Sequence, residues 1–409
     1  MNPEAAMHAL HDSHLLIMTG GVLGVFSVLA GLASRRIGAP VLLVFLGIGM
    51  LAGDDGLLGI PYDDIGTTYL IGSVALAVIL FQGGLKTPLA SFRHVFWPAA
   101  ALATAGVAVT TFIVGGLVSL IEHVPLQAAC LAGAIVAPTD AAAVSSLLRR
   151  SGAAVPERLL ELLEVESGLN DPMSVFLTFT LMRLFAHTAP LTISGALIDF
   201  TREMVGGAAI GLAAGWVLSK ALTRLKIEAA LANVMALAAS LAIFGLAQLL
   251  HTSGFLATYL AGVIVGGVGV ELHRALDDFF DGMGWLAQIT LFLMLGLLVT
   301  PHNLPPYAIP AIVGAAVLIL VARPVAVFAC LLPFGFGARE SAFASWVGLR
   351  GAVPIYLSII PAMADPARDI RLFGVTFIVV VASLVVQGWT VGPAARLLGF
   401  GKKQASASF

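Results

Sequence analysis

The stretch Glu161-Leu-Leu-Glu-Val-Glu-Ser-Gly-Leu-Asn-Asp-Pro172 runs directly into the apolar segment Met173 to Leu184. Together they predict a membrane-spanning helix that carries Glu166, Ser167, Asn170 and Asp171 well inside its length. A charge at the bilayer centre costs at least ~2.5–3.5 kcal/mol on insertion scales, so such residues face a cavity or a partner. On a helix Ser167 and Asp171 share one face, and Glu166 and Asn170 share a neighbouring one. Pro172 has no N–H, which leaves the carbonyl of Gly168 without its usual helical partner. Carboxylate, hydroxyl, amide and carbonyl oxygens suit a hard monovalent cation, and carboxylates also carry protons. The stretch reads as an ion site at which a cation and a proton exchange.

Composition agrees with a membrane setting. Hydrophobic residues make up 59% of the 409-residue chain, charged ones 11%, and the mean hydropathy is +1.00. Soluble domains have about 25% charged residues, so the chain is expected to be an all-α polytopic membrane protein. There is no basic face for nucleic acid in a chain of net charge −2. Cys130 and Cys330 fall inside predicted spans, which leaves neither a disulfide framework nor a metal cluster, and no cofactor is expected. Met1 to His14 contain Glu4 and Asp12 but no Lys or Arg, unlike a signal peptide, so the first span is expected to be retained.

A helix needs about 20 apolar residues to cross the hydrocarbon core. Dividing the chain at Pro, Gly and charged clusters gives roughly 13 spans. They lie near 14–34, 39–53, 67–85, 94–120, 126–148, 157–186, 202–223, 228–250, 253–270, 276–299, 306–332, 339–363 and 371–398. With the N-terminus outside, most of the 21 basic residues, among them Lys86, Arg149, Arg150, Lys220, Lys226 and Arg274, fall on the inner side. The positive-inside rule then gives N-out and C-in. Arg368 and Arg371 go against it, flanked by Asp365 and Asp369. An odd count suggests a repeat: 14–186 (spans one to six) and 227–399 (spans eight to thirteen) as inverted copies, joined by a linker span in 187–226 and followed by a cytoplasmic tail, 400–409. Transporters use such repeats, with interrupted helices crossing near the midplane. The corresponding fifth and twelfth spans both look interrupted, at Ala137-Pro138-Thr139-Asp140 and at Gly348-Leu349-Arg350-Gly351-Ala352-Val353-Pro354.

The candidate ion ligands are Asp171 and Asp140, with Thr139, Ser167 and Asn170 beside them. Asp140 also suits a helix cap at a break. A buried carboxylate poised between desolvation and a bound cation releases a proton as the cation arrives. Glu166 and Arg350 are expected to form a buried ion pair; a competing reading makes Glu166 itself a proton carrier. Arg350 also suits the carbonyl ends of the interrupted helix, whose partial negative charge it would offset. Arg323, before Pro324, is expected to snorkel to the interface with no chemical role. Gly207/Gly211/Gly215 and Gly262/Gly266 have the small-xxx-small spacing of close helix packing, within or between subunits. Ser167 lacks an adjacent base, since the nine histidines fall in loops or at span ends, so an enzyme is not expected.

Glu166-Ser-Gly-Leu-Asn-Asp-Pro172, Thr139-Asp140 before Ala-Ala-Ala-Val, and Trp346-Val-Gly-Leu-Arg-Gly-Ala-Val-Pro354 resemble the NhaP branch of the monovalent cation/proton antiporters. So do Ala75-Leu-Ala-Val-Ile-Leu80 before Gly83-Gly84 and Phe280-Asp-Gly-Met-Gly-Trp-Leu-Ala-Gln288, and the likeness covers nearly the whole chain. The resemblance is nearest to the potassium/proton type. It implies an NhaA/NhaP-like fold in a bacterial inner membrane, and a homodimer whose subunits each have a dimerisation domain and a core that moves elevator-fashion. It further implies Asp171 and Asp140 as ion-binding acids, Thr139 and Ser167 as ligands, and a Glu166–Arg350 pair. Asn170, where electrogenic relatives have a second Asp, implies electroneutral exchange of one cation for one proton. Gln82 stands where relatives often carry an acid, which makes it a possible accessory residue. Two other readings compete: a proton-gated cation channel, and a sodium-coupled symporter in which Arg350 would bind an organic carboxylate.

Overall fold

A computed structural model describes residues 3–37, 40–185, 193–225, 227–364 and 366–401. Lys226, Asp365, the first residues of the expected linker (187–192) and 402–409 of the expected tail lie outside them. The described residues form helices and no strand. In chain order these are α1 (Pro3–Ile37), α2 (Val41–Ala52), α3 (Ile65–Lys86), α4 (Leu89–Ala101), α5 (Val107–Glu122), α6 (Leu126–Val136), α7 (Ala141–Ser151), α8 (Glu157–Phe185) and α9 (Ile193–Arg224). Then follow α10 (Ala229–Leu249), α11 (Gly254–Val265), α12 (Val270–Leu297), α13 (Ala308–Val317), α14 (Arg323–Leu331), α15 (Ala338–Trp346), α16 (Ala352–Ala364) and α17 (Pro366–Leu397).

Among the described residues, eight helices are long and apolar enough to cross a membrane; joining α6 and α7, which meet at 50°, gives nine. The helix α8 is long enough but carries Glu161, Glu164, Glu166 and Asp171, which lower its hydropathy. It is stable there because it is buried: Leu159, Leu162, Val165, Glu166 and Asn170 have no exposed surface. The expected interruptions occur at 137–140, between α6 and α7, and at 347–351, between α15 and α16. Two π turns, Leu102–Gly106 between α4 and α5 and Leu318–Ala322 between α13 and α14, were not expected. The first helix also begins earlier than the predicted residue 14.

Helix contacts separate two groups. The helices α2, α3 and α9–α12 pack on one another, and α4–α8 pack with α13–α17. The two groups meet where α8 and α16 touch α3, α11 and α12. Both glycine stripes are used within the chain. A Cβ at Gly211 would overlap the Ala257 carbonyl on α11, and one at Gly262 the Phe81 carbonyl on α3. Caps fix the helix starts: Asp64 accepts from Thr67 N–H (2.9 Å) and Ser253 from Leu256 N–H (3.2 Å). The α2–α3 connection is tied to the turn after α12, where Asp55 accepts from the backbone N–H and the ring of His302, both at 2.7 Å. Those bonds hold the Asp55 carboxyl below its ordinary range.

Candidate functional site

The two interruptions cross at one point, where the N–H of Asp140 donates to the carbonyl of Leu349 (2.8 Å). Asp140 caps α7, its Oδ1 accepting from Ala143 N–H (3.0 Å). Gly351 makes this crossing possible, because a Cβ there would overlap Asp140 Oδ2. The cap anticipated for Asp140 is thus present, and it leaves a second carboxylate oxygen beside Gly351.

α8 packs its polar face against this crossing. Ser167 Oγ donates to the Thr139 carbonyl (2.8 Å) and accepts from Ala141 N–H (3.2 Å). Asn170 Nδ2 donates to Thr139 Oγ1 (2.7 Å) and, more weakly, to Glu166 Oε1 (3.4 Å). Asp171 is 7% exposed, and its Oδ1 is buried without a hydrogen-bond partner. The Asn170 side-chain oxygen is likewise buried and unpartnered. A buried acceptor without a donor is rare. Two of them on consecutive residues form a local negative field that a cation or a proton would relieve.

The expected Glu166–Arg350 pair is corrected by the geometry. Glu166, with no exposed surface, is held by Arg323, whose Nη1 and Nη2 donate to Oε1 (2.6 Å) and Oε2 (2.9 Å). Arg323 does not snorkel; it is 3% exposed. The planar guanidinium fits a carboxylate two-to-two, and Gly348 leaves room for it, since a Cβ there would lie 2.8 Å from Arg323 Nε. Arg350 instead takes the other place anticipated for it. Its Nη1 donates to the carbonyls of Ala137 and Pro138 (3.0 Å to the latter), at the C-terminal end of α6. A cation there offsets the negative end of the helix dipole. Ser383 accepts from the Arg350 backbone N–H (3.0 Å) and is itself tied to Gln387 (2.6 Å).

A cavity of about 350 Å³ runs between the two helix groups, from the exposed Arg149 and Arg150 to the buried Asp171. Thr139, Asp140 and Ser167 line it. Gln82 lines it too, its amide donating to Asp281 Oδ1 (2.8 Å), and Asp281 also pairs with Lys86. Glu164, which the sequence reading passed over, stands on the same wall and accepts from Ser145 (3.4 Å). Beyond Asp171, a crevice among Leu76, Val175, Phe255 and Tyr356 has no room for a water molecule. There Tyr356 is hydrogen-bonded to Ser73 (2.7 Å) and stacked on Tyr69 (5.5 Å between centroids).

A profile of the family described as sodium/hydrogen exchanger, transmembrane, matches residues 23–397. The chain is 44% identical over 385 residues to the K(+)/H(+) antiporter NhaP of Alkalimonas amylolytica, covering 94% of this chain and 67% of that protein. It is 45% identical to the K(+)/H(+) antiporter NhaP2 of Shewanella oneidensis, covering 93% of this chain and 66% of that one. It thus spans about two thirds of the length of these relatives. Among solved structures, that of the sodium proton antiporter MjNhaP1 from Methanocaldococcus jannaschii superposes with a TM-score of 0.82, at 22% identity over 94% of this chain and 99% of that one. That likeness speaks to the fold.

Proposed function

Because the chain belongs to the sodium/hydrogen exchanger transmembrane family, we propose that it exchanges a monovalent cation, K+ in preference to Na+, for H+ across a bacterial inner membrane. The observation that carries the reading is Asp171, a buried acid with an unpartnered carboxylate oxygen that lines one cavity together with Asp140 of the interrupted helix. In the loaded state Asp171, Asp140 and the Ser167 hydroxyl hold the cation, with Thr139 and Asn170 orienting them. Protonation of the acid pair displaces it, and close acids titrate as a unit. A single net charge exchanged each way makes the cycle electroneutral, one cation for one proton.

The cavity reaches Asp171 from one side while the Tyr356 side is packed shut, an arrangement that supports alternating access over a continuous pore. We assign the open side to the cytoplasm on the placement of Lys86, Arg149 and Arg150. The group α4–α8 with α13–α17 would be the moving core, and the group holding α3 and α9–α12, together with α1, the dimerisation side, in a 13-span subunit of a homodimer. Two loaded forms of the core cross; the empty, charged core crosses poorly, which enforces exchange. The test is dequenching of a pH dye in proteoliposomes on addition of K+, Na+ or Li+. Wild type should respond, and Asp171→Asn should not. Full activity in Asp171→Asn would refute the assignment, and cation conductance without proton counterflow would favour the channel.

A further inference from the structure

Of the carboxylates lining the cavity, the exchange cycle above leaves two unused: Asp281, which is taken up by Lys86 and Gln82, and Glu164. Glu164 precedes Ser167 by three residues and Asp171 by seven, so all three lie on one face of α8, and all three line the cavity. At 1.5 Å per residue Glu164 stands about 10 Å before Asp171 along the helix. It is half-buried, on the wall of the passage between the solvent-exposed arginines and the acid pair. Its one hydrogen bond among the described residues is the long contact from Ser145 Oγ at 3.4 Å, which leaves most of its acceptor capacity unused.

The cations around it are engaged elsewhere or wet. Lys86, on the facing group of helices, is paired with Asp281. Arg149 is exposed and acts on Glu164 only through its field, as does Lys86, while Glu161 adds negative charge nearby. The fully buried Glu166 two residues on is neutralised by a close ion pair with Arg323. Glu164 has none among the described residues. A carboxylate in a cleft with low-dielectric walls concentrates cations there.

We propose that Glu164 is an access station for the transported cation: a carboxylate part-way along the cavity that gathers the ion from water and passes it to Asp171 and Asp140. This rests on the exchange reading above and assigns it a further residue. Ser145 would orient the station by its hydroxyl. Because Glu164 and Asp171 sit on the same helix, the station keeps its distance from the site whichever way the core faces, and it serves only the side to which its end of the cavity opens.

That one-sidedness is what the test reads. The full chain is reconstituted in one orientation, and exchange is started with K+, and separately Na+, on either face. Glu164→Gln should raise KM for the cation roughly tenfold on the Arg149 face while the maximal rate changes by less than about twofold. KM on the opposite face should stay as in wild type, and Glu164→Asp should recover most of the lost affinity. A purely structural role would lower the rate alike from both faces and would not separate Gln from Asp. An unchanged KM in Glu164→Gln, or an equal rise on both faces, would overturn the station while leaving the exchange reading intact. Absence of cation-driven exchange in wild type would overturn the underlying reading as well.

Discussion

At the residue scale, the buried charges near the crossing divide into two units with different work. Glu166 and Arg323 neutralise each other through two short bonds, whereas Arg350 serves the backbone carbonyls at the end of α6. Removing one member of a buried pair strands the other and costs about 3–5 kcal/mol, while replacing both with neutral groups is far milder. Arg323→Met should therefore lower the melting temperature in detergent sharply, and adding Glu166→Gln should recover much of the loss. Glu166→Gln combined with Arg350→Met should instead be close to additive, the sign of independent sites. A rescue of Arg350→Met by Glu166→Gln would restore the pairing expected from sequence. That expectation failed for a physical reason. Spacing along a helix shows that Glu166 is buried, but the choice between two arginines more than 150 residues away depends on how the helices cross. That the candidate ligands lie together was easier to read, because Ser167 and Asp171 share one helical face with Asn170 on the neighbouring one, and Thr139-Asp140 follow from one proline break.

At the element scale, the interruptions at 137–140 and 347–351 were legible because proline and glycine interrupt otherwise apolar segments there. The π turns were not, since Leu102–Gly106 and Leu318–Ala322 contain no residue that demands an extra backbone step. The glycine stripes were legible as close packing but not as to partner, which only the fold supplies. On α9, a Cβ at Gly211 would run into the backbone of Ala257 on α11, which cannot swing aside as a side chain does. Overpacking of this kind costs about 1–3 kcal/mol or more. Gly211→Leu should thus reduce thermal stability in detergent, whereas Gly24→Leu on α1, where a Cβ meets nothing within 4 Å, should leave it near wild type. Equal melting temperatures for the two variants would mean that α9 and α11 are not in backbone contact.

At the scale of the whole molecule, the two helix groups are joined on the far side of Asp171 by a small polar latch. Ser73 Oγ gives its single proton to the Tyr69 carbonyl (2.7 Å), so the Tyr356 hydroxyl is the donor in the bond between them. Tyr356 belongs to α16 and Ser73 to α3, and Gly72 receives the Tyr356 ring, with which any Cβ there would collide at 2.7 Å. For Asp171 to be reached from that side, this bond must part and the stacked rings of Tyr69 and Tyr356 must separate. A buried hydrogen bond contributes about 0.5–1.5 kcal/mol net, so its loss shifts a two-state balance by roughly two- to tenfold. Tyr356→Phe keeps the ring and removes the donor. A cysteine placed at Val175, which lines the closed crevice, reports the opening, because Cys130 and Cys330 are buried. A membrane-impermeant thiol reagent added from the Tyr356 side should label Val175→Cys several-fold faster in the Phe background. Ser73→Ala should speed labelling similarly, and the two together no further, since each removes the same bond. Identical labelling rates with and without the hydroxyl would show that ring packing alone keeps this side shut.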